Sequence, residues 1–162
     1  MADADRALVA GDAQTALAAY AVAENRFGRF LLTRQVFASE YNRAVYNQLA
    51  LLYAAGDYDA VLEKSAAAPD AAAPRFWSGS ALLTRAIAEK KPDARLVLLS
   101  RAEEELKQAL QTSPADWDTK VNYEIAARLA AQLRRQPGKM ADPLMQLLRP
   151  QPMQGAPTRK VG

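Results

Sequence analysis

The 162-residue chain contains neither cysteine nor histidine. Without cysteine there can be no disulfide, no thiolate metal site and no thiol nucleophile, and the redox compartment is left open. Without histidine the commonest general base, the commonest metal ligand and the usual pH switch are all missing. A transition-metal site would lack its ordinary ligands, and no Gly-rich phosphate loop interrupts the chain. No apolar run reaches the roughly 18 residues that cross a bilayer. Asp3 and Asp5 precede any apolar segment, so the N-terminus does not read as a secretory leader.

A basic stripe is also absent. The net charge is +3. Residues 137–162 carry Lys139, Arg149, Arg159 and Lys160 against Asp142, which is 4 − 1 = +3, so the rest of the chain balances to zero. The basic character therefore belongs to the tail, which argues against a nucleic-acid-binding face on the body.

What is present is apolar, alanine-rich and periodic. Half of the residues are hydrophobic, and alanine favours helices that approach closely. Ala102, Leu106, Ala109 and Leu110 recur at i, i+4, i+7, i+8, one stripe of a helix, and Glu103 precedes Lys107 at i+4. Pro114 ends that helix. Asp116 or Asp118 can cap the next one, with Trp117 packed into the corner.

The same grammar recurs upstream. Gly11-Asp12 separates a short helix, Asp5–Ala10, from one bearing Ala16, Tyr20 and Ala23. Gly56-Asp57-Tyr58-Asp59 separates the helix Phe37–Ala55 from one bearing Val61, Ser65 and Ala68. A loop is expected over Pro69–Pro74, then helices over Arg75–Glu89, Asp93–Thr112 and Asp116–Arg135. Gly79 falls inside a helix, where it costs about 1 kcal/mol relative to alanine, so it should permit close approach of a neighbour.

The expectation is an all-α fold of about seven helices. These form three and a half antiparallel pairs sharing one continuous core over residues 1–136. Residues 137–162 are Pro-rich and read as a largely disordered tail. Within the tail, Pro143–Arg149 can form a short amphipathic segment that folds against a groove, here or on a partner, or can be a frayed terminus. Residues 25–36 interleave Arg26, Arg29 and Arg34 with Phe27, Phe30, Leu31 and Leu32. They read either as a helical extension packed on the next pair or as a partner-binding patch.

Nothing in the chain points to catalysis. Glu103-Glu104-Glu105 would project about 100° apart on a helix and so would not converge, and Asp57 and Asp59 are explained by capping. The reading is a protein that is not an enzyme, needs no cofactor and no metal, and offers a binding surface. In a stacked array the first helix of each pair lines one face, which nominates Arg43, Asn47, Trp77, Lys120, Asn122 and Arg128 as contacts for a partner. Asn47 and Asn122 can each serve a bound backbone, or bond to water or a neighbouring helix.

The spacing of Ala102, Leu106, Ala109 and Pro114 resembles the second helix of the tetratricopeptide (TPR) repeat, and Gly56-Asp57-Tyr58-Asp59 resembles that repeat's turn. The resemblance covers roughly residues 5–135 and implies a TPR-like helix-pair array in which such asparagines hold a peptide. A narrower likeness is carried by Pro114, Asp116, Trp117, Asp118, Asn122, Glu124 and Ala126. They are similar to a segment of the MxaK-like TPR proteins encoded beside MoxR-type AAA+ ATPases and von Willebrand A-domain proteins. That likeness implies an adaptor in an assembly or maturation complex, such as metalloenzyme maturation, with one of those proteins as partner. It also implies a periplasmic location and a membrane anchor upstream of the present chain, which the short first helix would suit. The alternative is a generic peptide-binding module linked to chaperones or secretion, in the cytoplasm.

Overall fold

The computed structural model describes residues 1–135; the Pro-rich segment 137–162, including Pro143–Arg149, lies outside the described residues. Among the described residues the protein is all-α. Its helices are α1 (Ala2–Val9), α2 (Ala13–Gly28), α3 (Leu31–Val36), α4 (Ala38–Ala54), α5 (Tyr58–Ala67), α6 (Ala72–Ala88), α7 (Pro92–Thr112) and α8 (Trp117–Arg135). Helices α1/α2, α4/α5 and α6/α7 form three pairs, and α8 closes the row against α7.

Two of the hairpins have the same construction, and glycine is the reason. Gly11 and Gly56 adopt φ of 75° and 77°, a left-handed geometry that closes a helix without penalty only when Cβ is missing. In each case the next amide bonds back across the helix end, Asp12 N to Ala7 O and Asp57 N to Leu52 O, both at 3.0 Å. The aspartate then caps the following helix: Asp12 accepts from the Thr15 amide at 3.0 Å and Asp57 from the Ala60 amide at 3.1 Å. The Thr15 bonds hold the Asp12 carboxyl below its ordinary range.

The seam of each pair draws on buried residues of the second helix, with alanines flanking a larger side chain on α2 and α7. Ala16, Tyr20 and Ala23 of α2 are buried, as are Val61 of α5 and Ala102, Leu106 and Ala109 of α7. Gly79 of α6 lies where a Cβ would be 2.5 Å from Leu106 Cγ, so the close approach expected of it is present. The antiparallel sense of α6 and α7 is pinned at both ends. Arg95, buried near the start of α7, donates through Nε to the Glu89 carbonyl at 2.8 Å. Near the other end Arg75 donates to Gln108 and lies 3.5 Å from Glu105.

Three local expectations need correction. The segment 25–36 is not one continuous helical extension: α2 stops at Gly28 and Phe30 is extended (φ −128°, ψ 142°) before α3 begins, which makes eight helices. Gly28 is a weak helix former, and a Cβ there would lie 3.1 Å from the Tyr41 ring. The loop expected over Pro69–Pro74 is shorter, because α6 starts at Ala72 with Pro74 in its first turn, where a missing N–H leaves no helical bond unmade. Glu103 turns to Arg134 of α8 at 3.5 Å rather than to Lys107.

Candidate functional site

The first helices stand side by side. Tyr53 of α4 bonds through its hydroxyl to Thr84 Oγ1 of α6 at 3.0 Å, and Asn122 Nδ2 of α8 donates to Ser80 Oγ of α6 at 3.0 Å. Between these two links lies an open groove of about 420 Å³ lined by Tyr53, Phe76, Trp77, Ser80, Trp117, Asp118, Val121 and Asn122.

Helical spacing assembles its walls. Trp77 and Ser80 are one turn apart on α6, while Trp117 and Val121, and Asp118 and Asn122, are i,i+4 pairs on α8. The aromatic wall is internally packed: Trp77 sits 5.3 Å from Tyr53 and 4.9 Å from Phe76, centroid to centroid, the latter edge-on. Such pairs are held in place by their quadrupoles as well as by burial, so this wall is stiff. The opposite lip is not packed. The Trp117 side chain is 71% exposed, and Val121 beside it is partly exposed. The corner packing expected for Trp117 is thus not found. Asp116, next to it, accepts from the buried Thr119 hydroxyl and fixes the start of α8, leaving the indole outside.

A second, smaller cleft of about 230 Å³ adjoins Trp117 and is lined by Trp117, Lys120, Val121, Glu124, Ile125 and Arg128. Arg128 pairs with Glu124 at 2.8 Å, both in solvent, so that pair contributes little.

The six nominated residues therefore divide into three groups. Trp77 and Asn122 share the groove. Lys120 and Arg128 line the neighbouring cleft on α8. Arg43 and Asn47 belong to a separate polar cluster at the α1–α2–α4 junction. There Asp5 accepts from the Tyr20 hydroxyl at 2.7 Å and from Arg43 at 2.5 Å, and Asn47 reaches the same phenol. Asn47 and Asn122 are thus both engaged within the protein. Tyr53, Phe76 and Trp117 are groove residues that sequence reasoning missed or assigned to packing. The concentration of aromatics at Tyr53, Tyr58, Phe76 and Trp77 was the signal available. The acidic run disperses as helical geometry requires: Glu103 faces α8, Glu105 faces Arg75 of α6, and Glu104 accepts from Gln108 on its own helix at 2.6 Å.

The junction cluster gives a pH-dependent prediction. Burial pushes the Tyr20 phenol up from 10.0, and the bond to Asp5 adds to the shift, while Asn47 and Arg43 oppose it. A phenol whose pKa is raised on folding contributes stability that is fully present below its unfolded pKa and lost as pH rises through the folded one. Tyr20→Phe should cost about 1.5 kcal/mol near neutrality, the low end for a bond to a charged partner because Asp5 keeps Arg43 and solvent. The gap should shrink above about pH 10, as measured by urea denaturation at stepped pH. A constant gap into strong alkali would refute the assignment.

The chain matches no protein-family model, and neither a curated protein nor a solved structure is significantly similar to it.

Proposed function

We propose that the protein is a non-catalytic interaction scaffold, a TPR-like array that holds a segment of a partner protein in the groove between α4, α6 and α8. One observation carries the reading: a stiff aromatic wall, Tyr53–Trp77–Phe76, faces a largely exposed indole, Trp117, across an open groove. Apolar side chains left in water at the lip of a groove are a cost in the free protein that burial under a partner removes. Tryptophan and tyrosine are the residues on which such contacts concentrate. Asp118, exposed at the rim, adds a carboxylate suited to a backbone amide or a cationic side chain. Chemistry on a substrate is not supported by these groups, since no pair of carboxylates converges in the groove.

The partner class rests on the likeness to MxaK-like proteins. Trp117, Asp118 and Asn122, which help to carry that likeness, are also groove residues, which favours an adaptor in a MoxR- or von Willebrand A-linked assembly or maturation complex. The generic peptide-clamp reading is weaker, because Asn122 already donates to Ser80 and Asn47 lies apart from the groove, beside Tyr20.

The test places a photoreactive side chain at Val121 in the full chain, expressed in its own host. Irradiation should trap one discrete protein, with a MoxR-type ATPase or a von Willebrand A-domain protein as the expected identity. Trapping of general chaperones alone, or of nothing, would count against the proposal. A discrete partner of another class would preserve the scaffold and remove the MoxR link.

A further inference from the structure

The elbow between α2 and α4 carries a second surface with a different chemistry. Val22, Phe30, Leu32 and Val36 are 69%, 61%, 76% and 74% exposed. Leu32 and Val36 are an i,i+4 pair on α3, so they share one side of that helix. Residues 25–39 contain Arg26, Arg29 and Arg34 and no acidic residue. Among the described residues none of the three is in an ion pair. The flanking acids are already engaged: Glu24 by Lys64 at 2.6 Å and Gln48 at 2.8 Å, and Glu40 by the Ser39 hydroxyl at 2.7 Å. Two of the guanidinium groups lie against rings, Arg34 at 4.8 Å from the Tyr41 centroid and Arg29 at 5.6 Å from Phe30. Arg29 and Phe30 are therefore held side by side, and Arg26 lies one turn from Val22 on α2, whereas Arg34 lies on the opposite side of α3 from Leu32 and Val36, against Tyr41.

We propose that this elbow docks peripherally on an anionic lipid surface, with Phe30, Leu32 and Val36 entering the headgroup boundary and Arg26 and Arg29 meeting lipid phosphates. Charge complementarity selects the anionic partner. The apolar residues select lipid among anions: leucine and valine offer nothing to a nucleic-acid backbone, but they gain by entering an acyl boundary. Protrusion points the same way. These side chains leave most of their surface in solvent instead of walling a cleft, which suits a soft interface better than a folded peptide. A second copy of the chain is disfavoured, since a self-complementary contact would set arginines against arginines. The proposal is independent of the groove.

The experiment is vesicle co-sedimentation of the full chain. Vesicles of phosphatidylcholine with about one-third phosphatidylglycerol should bind it at least ~10-fold better than phosphatidylcholine alone, and binding should weaken as salt shortens the screening length. Arg26→Glu/Arg29→Glu should abolish the preference. Leu32→Asp/Val36→Asp should lower binding several-fold while leaving the basic tail intact. Trp117→Ala should change nothing. All the mutated side chains are exposed, and thermal melts of each variant check that the fold survives. Failure of the parent chain to bind anionic vesicles would overturn the proposal. So would undiminished binding by the Leu32/Val36 variant, which would assign the effect to charge alone, or tighter binding to polyglutamate than to vesicles.

Discussion

Replacing Gly79 by alanine should destabilise the protein by about 2 kcal/mol, although the same change in an ordinary helix interior stabilises by about 1 kcal/mol. The new methyl has no room. Its carbon would lie 2.5 Å from Leu106 Cγ, 2.9 Å from Leu106 Cδ2 and 3.3 Å from the Ala102 carbonyl oxygen. Leu106 Cγ is a branch point, not the free end of a flexible chain, and Leu106 and Ala102 are fully buried. Relief would require α7 to move away from α6, and α7 is fastened by Arg95 at one end and by Arg75 at the other. Overpacking of this kind costs about 1–3 kcal/mol, and here it must also exceed the gain in helix propensity. For a chain of this size a 2 kcal/mol loss lowers Tm by roughly 4–8 °C.

Leu106→Ala supplies the control. Alone it should cost about 2–5 kcal/mol through the cavity it leaves. In that background Gly79→Ala should be neutral or stabilising, because its methyl enters the vacated space, and the two changes should couple by about 2–3 kcal/mol. Urea denaturation of the four proteins in the cycle measures this. Additive effects, or a stabilised Gly79→Ala single variant, would mean that α6 and α7 do not approach this closely.

Gly79 also marks what could be read in advance. A glycine inside an otherwise helical pattern has few explanations, and close helix approach is one that periodicity alone suggests. Gly11-Asp12 and Gly56-Asp57 were equally legible, because a left-handed stop followed by a carboxylate cap is determined within a few residues. The buried triad of α2 followed from spacing. The failures differ in cause. Proline usually ends helices, which places Pro74 in a loop, whereas it sits in the first turn of α6, where no helical bond is lost. The extended Phe30 breaks the segment after Gly28, against which Tyr41 lies. An indole usually gains by burial, which places Trp117 in the corner, but the Asp116–Thr119 bond fixes the start of α8 with the ring in solvent. Arg43 and Asn47 read as surface contacts, and only the fold brings Asp5 and Tyr20 to them. The groove lies between helices distant in sequence, so it was only partly legible, through Trp77 and Asn122.

Trp117→Ala should leave stability within about 0.5 kcal/mol of the parent, while weakening binding of the groove partner by about 2 kcal/mol or more, a loss of roughly 30-fold or greater. The two halves of this expectation come from the same observation. An indole that is 71% exposed surrenders little packing when removed, and α8 keeps its start through Asp116, Thr119 and the Lys120 amide, none of which needs the ring. The same exposure leaves most of the indole's large apolar area available to a partner. Trp77→Ala is the instructive contrast. That ring is already spent on Tyr53 and Phe76, so its loss should lower both stability and affinity and cannot separate them. Thermal melts paired with titration calorimetry against the partner trapped at Val121 read both quantities. A Trp117→Ala variant that melts several degrees lower would restore the corner packing. One that binds unchanged would move the partner off the groove, since no other side chain on its open lip is comparably large and exposed.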